Sequence, residues 1–216
     1  MATPSKTKYP DLNLLAMEVH AIAVQHGWWE SNPSDEHRLT LVISELAEAV
    51  EADRKGNKAD RLGFELLMEE WDDPAEREAD PQQYEYGLKV AFETNLKDTV
   101  DDELADTVIR LLDLAGARKC DLYSDRAIVG CIHSSRAFTE NVWEIIRGLV
   151  RTDLTVQQRI ISGIAAVEIL ATAYDIPLWW HVQAKMRYNH SRPNIVLNKF
   201  RRQRNVQRHR ASQKSH

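Results

Sequence analysis

Two stretches, VISELAEAVEADR at residues 42–54 and VDDELADTVIRLLDLAG at residues 100–116, decide how the chain folds. Apolar residues recur in both at intervals of three and four, which is the spacing of one face of an α-helix. Each stretch also carries two acidic residues three positions apart, and such a step leaves both side chains on one side of a helix. The sequence therefore predicts two amphipathic helices that each present a pair of carboxylates. The pairs are Glu45 with Glu48 and Glu103 with Asp106.

The rest of the chain also favours helices. Glycine and proline number only eight and seven among 216 residues, and β-branched residues show no strong period-2 alternation. The predicted main helices run from Asp11 to about Gly27, from Ser34 or Asp35 to Gly56, and over 100–118, 126–151, 155–174 and 177–191. Residues of about 57–99 are predicted to be an insertion of two short helices around an acidic loop, DDPAEREADPQQ. The predicted fold class is an all-α helical bundle, with one domain over residues 1–193.

Charge is distributed unevenly along the chain. The net charge is −5, yet residues 193–216 contain seven lysines and arginines and no acidic residue, which leaves −12 for the remainder. Residues 194–216 are predicted to be a flexible, solvated basic tail, with a nucleic acid contact as the alternative. No apolar stretch has the length of a membrane span and the N-terminus lacks a signal-peptide pattern, so a soluble, cytoplasmic protein without a membrane partner is expected.

The two acidic pairs suggest a shared metal site. If the two helices pack antiparallel, four carboxylates converge, and like charges a few ångströms apart raise one another's pKa unless a cation is bound. All ligands would be hard oxygens, which favours Mg²⁺, with Mn²⁺ as the alternative, over zinc or copper. Because Mg²⁺ commonly binds phosphate oxygens as well, a phosphate substrate is expected. A solvated acidic face is the simpler explanation of the same spacing.

The acidic motifs resemble those of the all-α nucleotide pyrophosphohydrolases, the superfamily of MazG and the dimeric dUTPases. The signature of that superfamily is EExxE, a spacer and ExxD, and SELAE at 44–48 and ELAD at 103–106 fill these positions. Ser44 replaces the first glutamate, and the spacer of 54 residues between Glu48 and Glu103 is longer than usual. The insertion is therefore expected to loop out without separating the two acidic helices.

Two further segments follow the order of phage-type MazG-like proteins. HGWWE at 26–30 precedes the first acidic motif, and KMRYNHSRP at 185–193 is similar to the K-x-x-x-N-x-x-R segment of the superfamily. After the proline the chain departs from the usual HGK segment and continues as the basic tail. The resemblance thus covers most of the chain but not its C-terminal segment.

The resemblance implies Mg²⁺-dependent hydrolysis of a nucleoside triphosphate, such as dUTP or a non-standard nucleotide, to the monophosphate and pyrophosphate. It also implies a homodimer or tetramer with a MazG-like fold. The metal ligands would be Glu45, Glu48, Glu103 and Asp106, with Glu48 as the catalytic carboxylate that orients water. The triphosphate would contact Lys185, Asn189 and Arg192.

Aromatic residues and one arginine near the predicted site are interpreted from their positions alone. Trp28 or Trp29 is a candidate for stacking on the base, with core packing as the alternative, and Tyr188 is a candidate for lining the pocket. Arg110 is expected to form a local ion pair with Asp106 or Asp113 and is left out of the predicted site.

Two classes of helical protein other than a pyrophosphohydrolase are alternatives for this sequence. A diiron carboxylate bundle would need Glu-x-x-His pairs, which the acidic motifs lack. A non-catalytic helical interaction protein, whose basic tail contacts nucleic acid, would need neither acidic pair and stays as the alternative function.

Overall fold

The computed structural model describes residues 9–31, 33–71 and 73–191. Within these ranges the chain forms nine α-helices and no strand, so the predicted all-α class is confirmed. The helices are α1 Leu12–Gln25, α2 Asp35–Lys55, α3 Arg61–Met68, α4 Pro74–Ala79, α5 Pro81–Asn95, α6 Val100–Arg118, α7 Phe138–Leu149, α8 Val156–Ala173 and α9 Leu178–Ser191. A short 3₁₀ turn, Glu69–Trp71, follows α3. The basic tail and Arg192 lie outside the described residues.

Local sequence signals set the bounds of the two acidic helices. The Ser34 side chain accepts a hydrogen bond from the His37 amide at the start of α2, and Gly56 ends that helix with a left-handed φ of 70°. Thr99 caps α6 by accepting from the Asp102 amide. Such caps satisfy backbone groups that have no partner inside the helix.

Helices α2 and α6 lie side by side and run antiparallel. The amide of Val100, at the start of α6, donates to the carbonyl of Asn57 just after the end of α2. At the opposite end, Arg118 of α6 pairs with Asp35 at the start of α2. Fully buried apolar side chains join the two helices, among them Val42, Leu46, Ala49, Leu104, Ala105 and Val108. This packing turns both acidic motifs toward one another.

The insertion contains three α-helices, α3 to α5, so the prediction of two short helices was one too few. It has a small core of its own, in which Phe64, Leu88 and Phe92 pack with Ala184 and Tyr188 of α9. Its base is closed by a hydrogen bond from the Asp60 amide to the Asn95 carbonyl. Because its two ends meet there, α2 and α6 remain in contact despite the long spacer.

The predicted helix over 126–151 is wrong at its start, because α7 begins at Phe138. Residues 126–133 have no regular structure, and their backbone is held by side chains instead. The buried Asn141 side chain binds both the amide and the carbonyl of His133, and Ser162 accepts a hydrogen bond from the Ile128 amide. Side-chain partners thus replace helical hydrogen bonds in this segment.

None of the described helices is by itself long and apolar enough to cross a membrane. Helices α8 and α9 pass that test only as a pair, bent by 114°, and by length and composition alone.

Candidate metal and phosphate site

Three of the four predicted metal ligands meet between α2 and α6. One carboxylate oxygen each of Glu45, Glu103 and Asp106 lies within 4.8 Å of the other two. Glu45 and Glu103 are buried, and Asp106 is partly exposed. Carboxylates at this separation form a set of hard oxygen donors with the spacing that one divalent cation needs. We call Glu45, Glu103 and Asp106 the acidic triad.

Glu48, the predicted catalytic carboxylate, is not brought into the acidic triad. Its side chain is exposed and accepts a hydrogen bond of 3.5 Å from Ser44. Glu48 lies three residues after Glu45 on α2, close enough for its charge to help raise the pKa of Glu45. Ser44, the residue before Glu45 on α2, therefore contacts Glu48 and not the three clustered carboxylates.

Lys185 reaches the same place from α9. Its Nζ lies 2.7 Å from Asp106 and 2.9 Å from both oxygens of Asp102. Burial alone would lower the pKa of the Lys185 ammonium, but Asp106 and Asp102 outweigh burial and hold that pKa above its usual range. Lys185, for which the resemblance implies a phosphate contact, thus forms ion pairs with Asp102 and Asp106 of α6.

Asp102 is a residue of the site that the sequence prediction missed. It is 2 % exposed, and burial raises its pKa to about 7 in spite of the adjacent Lys185. Asp102 lies one helical turn before Asp106, so both carboxylates face α9 and can share one ammonium. The spacing of four residues between Asp102 and Asp106 is the sequence signal that could have indicated the role of Asp102.

Burial is also the main cause of the raised pKa values of Glu103 and Glu45 in the triad. It raises the pKa of Glu103 to about 9, with further increases from the charges of Asp102 and Asp106 and a partial opposing effect of Lys185. Burial raises the pKa of Glu45 as well, although Arg110 opposes it. Carboxyl groups in this environment favour either a proton or a bound cation.

Arg110 corrects a prediction. Its Nε donates to Oε1 of Glu45 on α2 at 2.5 Å, so the guanidinium pairs across two helices and not with Asp106 or Asp113 of its own helix. The reason is the antiparallel packing of α2 and α6, which places Glu45 next to the guanidinium of Arg110. Residue spacing within α6 alone cannot predict a partner on another helix. Arg110 therefore belongs to the site.

A cavity of about 450 Å³ opens beside the acidic triad. Asp106, Arg110 and Asn189 contribute to its polar wall, and Asp106 and Asp113 lie two turns apart along it, a span of about 10 Å of helix. The apolar part of its wall consists of Val19, Ile22, Ala23, Leu41, Ile109 and Met186. The cavity thus combines polar groups near the triad with an apolar surface from α1, α2, α6 and α9.

The two adjacent tryptophans have different roles. Trp28 lines the cavity and stacks on His26, with ring centroids 5.2 Å apart. Trp29 points instead to α6, where its Nε1 donates to Asp113 at 2.8 Å and the Arg38 guanidinium covers its ring at 3.8 Å. Of the pair, Trp28 is the one that a ligand in the cavity can contact.

Asp113 holds this loop in place and was not singled out from the sequence as a site residue. Its carboxylate accepts from Trp29 and contacts Nδ1 of His20 at 2.8 Å, while Arg38 lies 3.7 Å away. Burial raises the pKa of Asp113, and the hydrogen bonds of His20 and Trp29 oppose that rise. His20 therefore serves in hydrogen bonding, and the cluster fixes the loop that carries Trp28.

The predicted substrate residues of α9 separate onto two faces. Asn189 is buried, lines the cavity, and its Oδ1 has no hydrogen-bond partner among the described residues. Tyr188 faces the insertion, where its ring stacks on Phe92 at 4.3 Å and its hydroxyl donates to Glu93. Lys185 and Asn189 thus lie beside the triad, whereas Tyr188 does not line this cavity. Arg192 lies outside the described residues.

Comparisons of this chain with models of protein families, with curated proteins and with solved structures give no match.

Proposed function

We propose that this protein is a divalent-cation-dependent nucleoside triphosphate pyrophosphohydrolase of the MazG-like type, which releases a nucleoside monophosphate and pyrophosphate. The observation that carries the proposal is the convergence of Glu45, Glu103 and Asp106 within 4.8 Å, beside a cavity of about 450 Å³. A cavity of this volume is within the range of small-molecule sites. The substrate would be a (d)NTP, such as dUTP or a non-standard nucleotide.

The residues present fit a bound Mg²⁺ or Mn²⁺. Three carboxylates supply hard oxygen ligands. Among the charged groups at the site, the acidic groups outnumber the basic ones. Four carboxyl groups, those of the triad and Asp102, face two cationic groups, Lys185 and Arg110. Full ionisation would leave two negative charges, which is the charge that one divalent cation neutralises. The buried Oδ1 of Asn189, which lacks a partner within the described ranges, independently supports a ligand in the adjoining cavity.

The chain's own residues then have distinct roles. Glu45, Glu103 and Asp106 would hold the cation, which supplies charge neutralisation at the phosphates and a lower pKa of water when bound. Glu48, whose side chain is exposed, would orient the attacking water. Lys185, Asn189 and Arg192 would bind the phosphates, and the Trp28 ring would contact the base. Tyr188 would act by supporting Lys185 and Asn189 from the insertion side. Assembly into a homodimer or tetramer is part of the same proposal.

The alternative function, a non-catalytic helical interaction protein, also has an observation in its favour. Lys185 and Arg110 already pair with carboxylates of the cluster, as they would in a purely structural polar network. In that case the cluster would fix the relative positions of α2, α6 and α9. The two functions differ in whether the protein binds a divalent cation and turns over nucleotides.

The deciding experiment is a hydrolysis assay with a panel of dNTPs and NTPs and Mg²⁺. We expect pyrophosphate release by the wild-type protein and a loss of about 10²-fold or more in Glu103→Gln, which removes one charged ligand. Glu51→Gln is the matched control, because Glu51 is an exposed acid of α2 that pairs with Arg54 and Lys55 of the same helix. Orthophosphate release, or no turnover of any triphosphate by the wild-type protein, would contradict the proposal.

A further inference from the structure

Arg110 occupies two functional surfaces at once. Its Nε donates to Glu45 of the acidic triad at 2.5 Å, and the same side chain lines the cavity beside that triad. The Arg110 side chain is 39 % exposed, whereas that of Glu45 is 6 % exposed. The guanidinium therefore provides a cationic partner for one oxygen donor of the triad.

A divalent cation on the triad would change the partner of Arg110. The cation would share Glu45 with the guanidinium, and two positive groups a few ångströms apart repel strongly in a partly buried site. The partly exposed Arg110 side chain can turn about its own rotatable bonds away from Glu45, whereas a cation would be held by three carboxylates. Cation binding is thus expected to free the Arg110 head at the wall of the cavity.

The other arginine of the cavity wall cannot respond in this way. Arg38 is buried, donates to the Trp28 carbonyl, covers the Trp29 ring and lies next to Asp113. These contacts fix Arg38 as part of the loop support. Arg110 differs from it, because its ion pair is formed with a triad carboxylate that the cation would take over.

We propose that Arg110 is a phosphate-binding residue that the bound cation releases from Glu45. This inference rests on the proposed function, because it requires a cation on the triad and a phosphate-bearing ligand in the cavity. The released guanidinium offers a planar fork of donors, which suits phosphate oxygens. Asn189 lies on the same cavity wall, where its Nδ2 can donate to a phosphate oxygen, while its Oδ1, which lacks a partner within the described part of the chain, suits a hydroxyl or N–H group of the ligand. Binding of the cation and binding of the polyphosphate are therefore expected to strengthen each other.

The test compares Arg110→Gln with Arg118→Gln. Arg118 is a matched control, since it also links α6 to α2 through an ion pair, with Asp35 at 2.6 Å, but does not line the cavity. Calorimetry first measures the affinity of each purified protein for Mn²⁺ alone. It then measures the affinity for inorganic pyrophosphate at saturating Mn²⁺. Thermal unfolding of both variants reports on folding.

Arg110→Gln is expected to change the two affinities in opposite directions. Mn²⁺ alone should bind about tenfold more tightly, because a like charge next to the cation is removed, while pyrophosphate should bind about tenfold more weakly. Arg118→Gln should leave both affinities unchanged. Arg110→Lys should restore part of the pyrophosphate affinity, since it keeps the charge without the fork.

The outcomes separate this inference from the proposed function. If the wild-type protein binds Mn²⁺ but Arg110→Gln binds it equally or more weakly, the release of Arg110 is refuted while the metal site stands. If pyrophosphate binding is unaffected in Arg110→Gln, the phosphate contact is refuted. If the wild-type protein binds no Mn²⁺, or binds it as well after Glu103→Gln, both the proposed function and this inference are refuted.

Discussion

Glu103 combines the two properties that define the site at the scale of single residues. It is 4 % exposed, and it lies among the carboxylates of Asp102, Asp106 and Glu45. Burial, followed by the charges of Asp102 and Asp106, raises its pKa to about 9. Without a cation, the folded protein therefore keeps a proton on Glu103 at neutral pH, whereas the unfolded chain ionises that carboxyl group near pH 4.5.

The stability of the metal-free protein should consequently fall as pH rises from about 5 to 9. Over this window the folded state retains a proton that the unfolded state has lost, so the free energy of unfolding falls, at most by about 1.4 kcal/mol per pH unit for this one group. Urea denaturation in the presence of a chelator measures the slope. Glu103→Gln should make the slope shallower, most clearly between pH 7 and 9, because the amide does not titrate, whereas Asp102, whose pKa is raised to about 7, still titrates below that range.

Added Mn²⁺ provides the complementary control. It binds the ionised triad, so it should stabilise the wild-type protein more at pH 8 than at pH 6. A metal-free stability that is equal in Glu103→Gln and wild type at every pH from 5 to 9 would contradict the assignment of the proton to Glu103.

Sequence reasoning predicted that Glu45, Glu48, Glu103 and Asp106 meet, and the structure brings together all of them except Glu48. A three-residue step on each helix and the resemblance to a known signature both pointed to these four residues. The other contacts of the site depend on how far α6 is rotated toward its neighbours α1, α2 and α9. They are the ion pair of Asp102 with Lys185, the contact of Asp113 with His20 and the ion pair of Arg110 with Glu45. The periodicity of one helix does not determine the rotation of its neighbours, and an ion pair across helices is set by that rotation.

At the scale of elements, α6 is the helix on which the site depends. Most of its residues are buried, and it packs against α1, α2, α8 and α9. Gly116 lies at the closest approach of α6 to α1. A Cβ at this position would lie 2.6 Å from Cβ of His20 and still closer to the Ala16 carbonyl oxygen. The small residue allows α1 to reach α6, and thereby allows His20 to contact Asp113.

Gly116→Ala should therefore destabilise the protein, although alanine is normally the better helix former. The clash involves backbone that cannot rotate away, so we expect a loss of about 1 to 3 kcal/mol in the free energy of unfolding. Gly148→Ala in α7 is the control of opposite sign, because nothing lies within 4 Å of the added Cβ. It should be neutral or stabilise by about 0.5 to 1 kcal/mol. Equal behaviour of the two variants in urea would exclude a close contact between α1 and α6 at Gly116.

The bounds of the elements show where sequence signals suffice. Helix α2 begins at the Ser34 cap and ends at the left-handed Gly56, and both signals are readable in the sequence, whereas α6 ends at Lys119, a left-handed residue that is not glycine. The segment before α7 was predicted as helix because its composition permits one, yet Asn141 binds both backbone groups of His133 instead. The buried Asn141 amide thus binds a residue eight positions earlier in the chain. The spacing of apolar residues along a helix does not predict a contact of this kind.

At the scale of the whole molecule, two cores share α9. The larger core contains α1, α2 and α6 to α8, and the smaller one belongs to the insertion. Helix α9 contributes Leu178 and Val182 to the first core and Ala184 and Tyr188 to the second. Lys185 lies between them, with its Nζ 5.2 Å from the centre of the Phe92 ring. The insertion thus supports the helix that brings Lys185 and Asn189 to the triad.

Phe92→Ala should accordingly affect both stability and the acidic site that Lys185 contacts. Phe92 is 1 % exposed and stacks on Tyr188 at 4.3 Å, so its truncation should cost about 3 to 5 kcal/mol of unfolding free energy. The loss of the ring should also loosen the C-terminal half of α9 and weaken pyrophosphate binding at saturating Mn²⁺. Val90→Ala on the same helix, at a 40 % exposed position, should change stability by less than about 0.5 kcal/mol. If Phe92→Ala stayed folded and bound pyrophosphate with wild-type affinity, the insertion would not position α9, and the site would depend on the larger core alone.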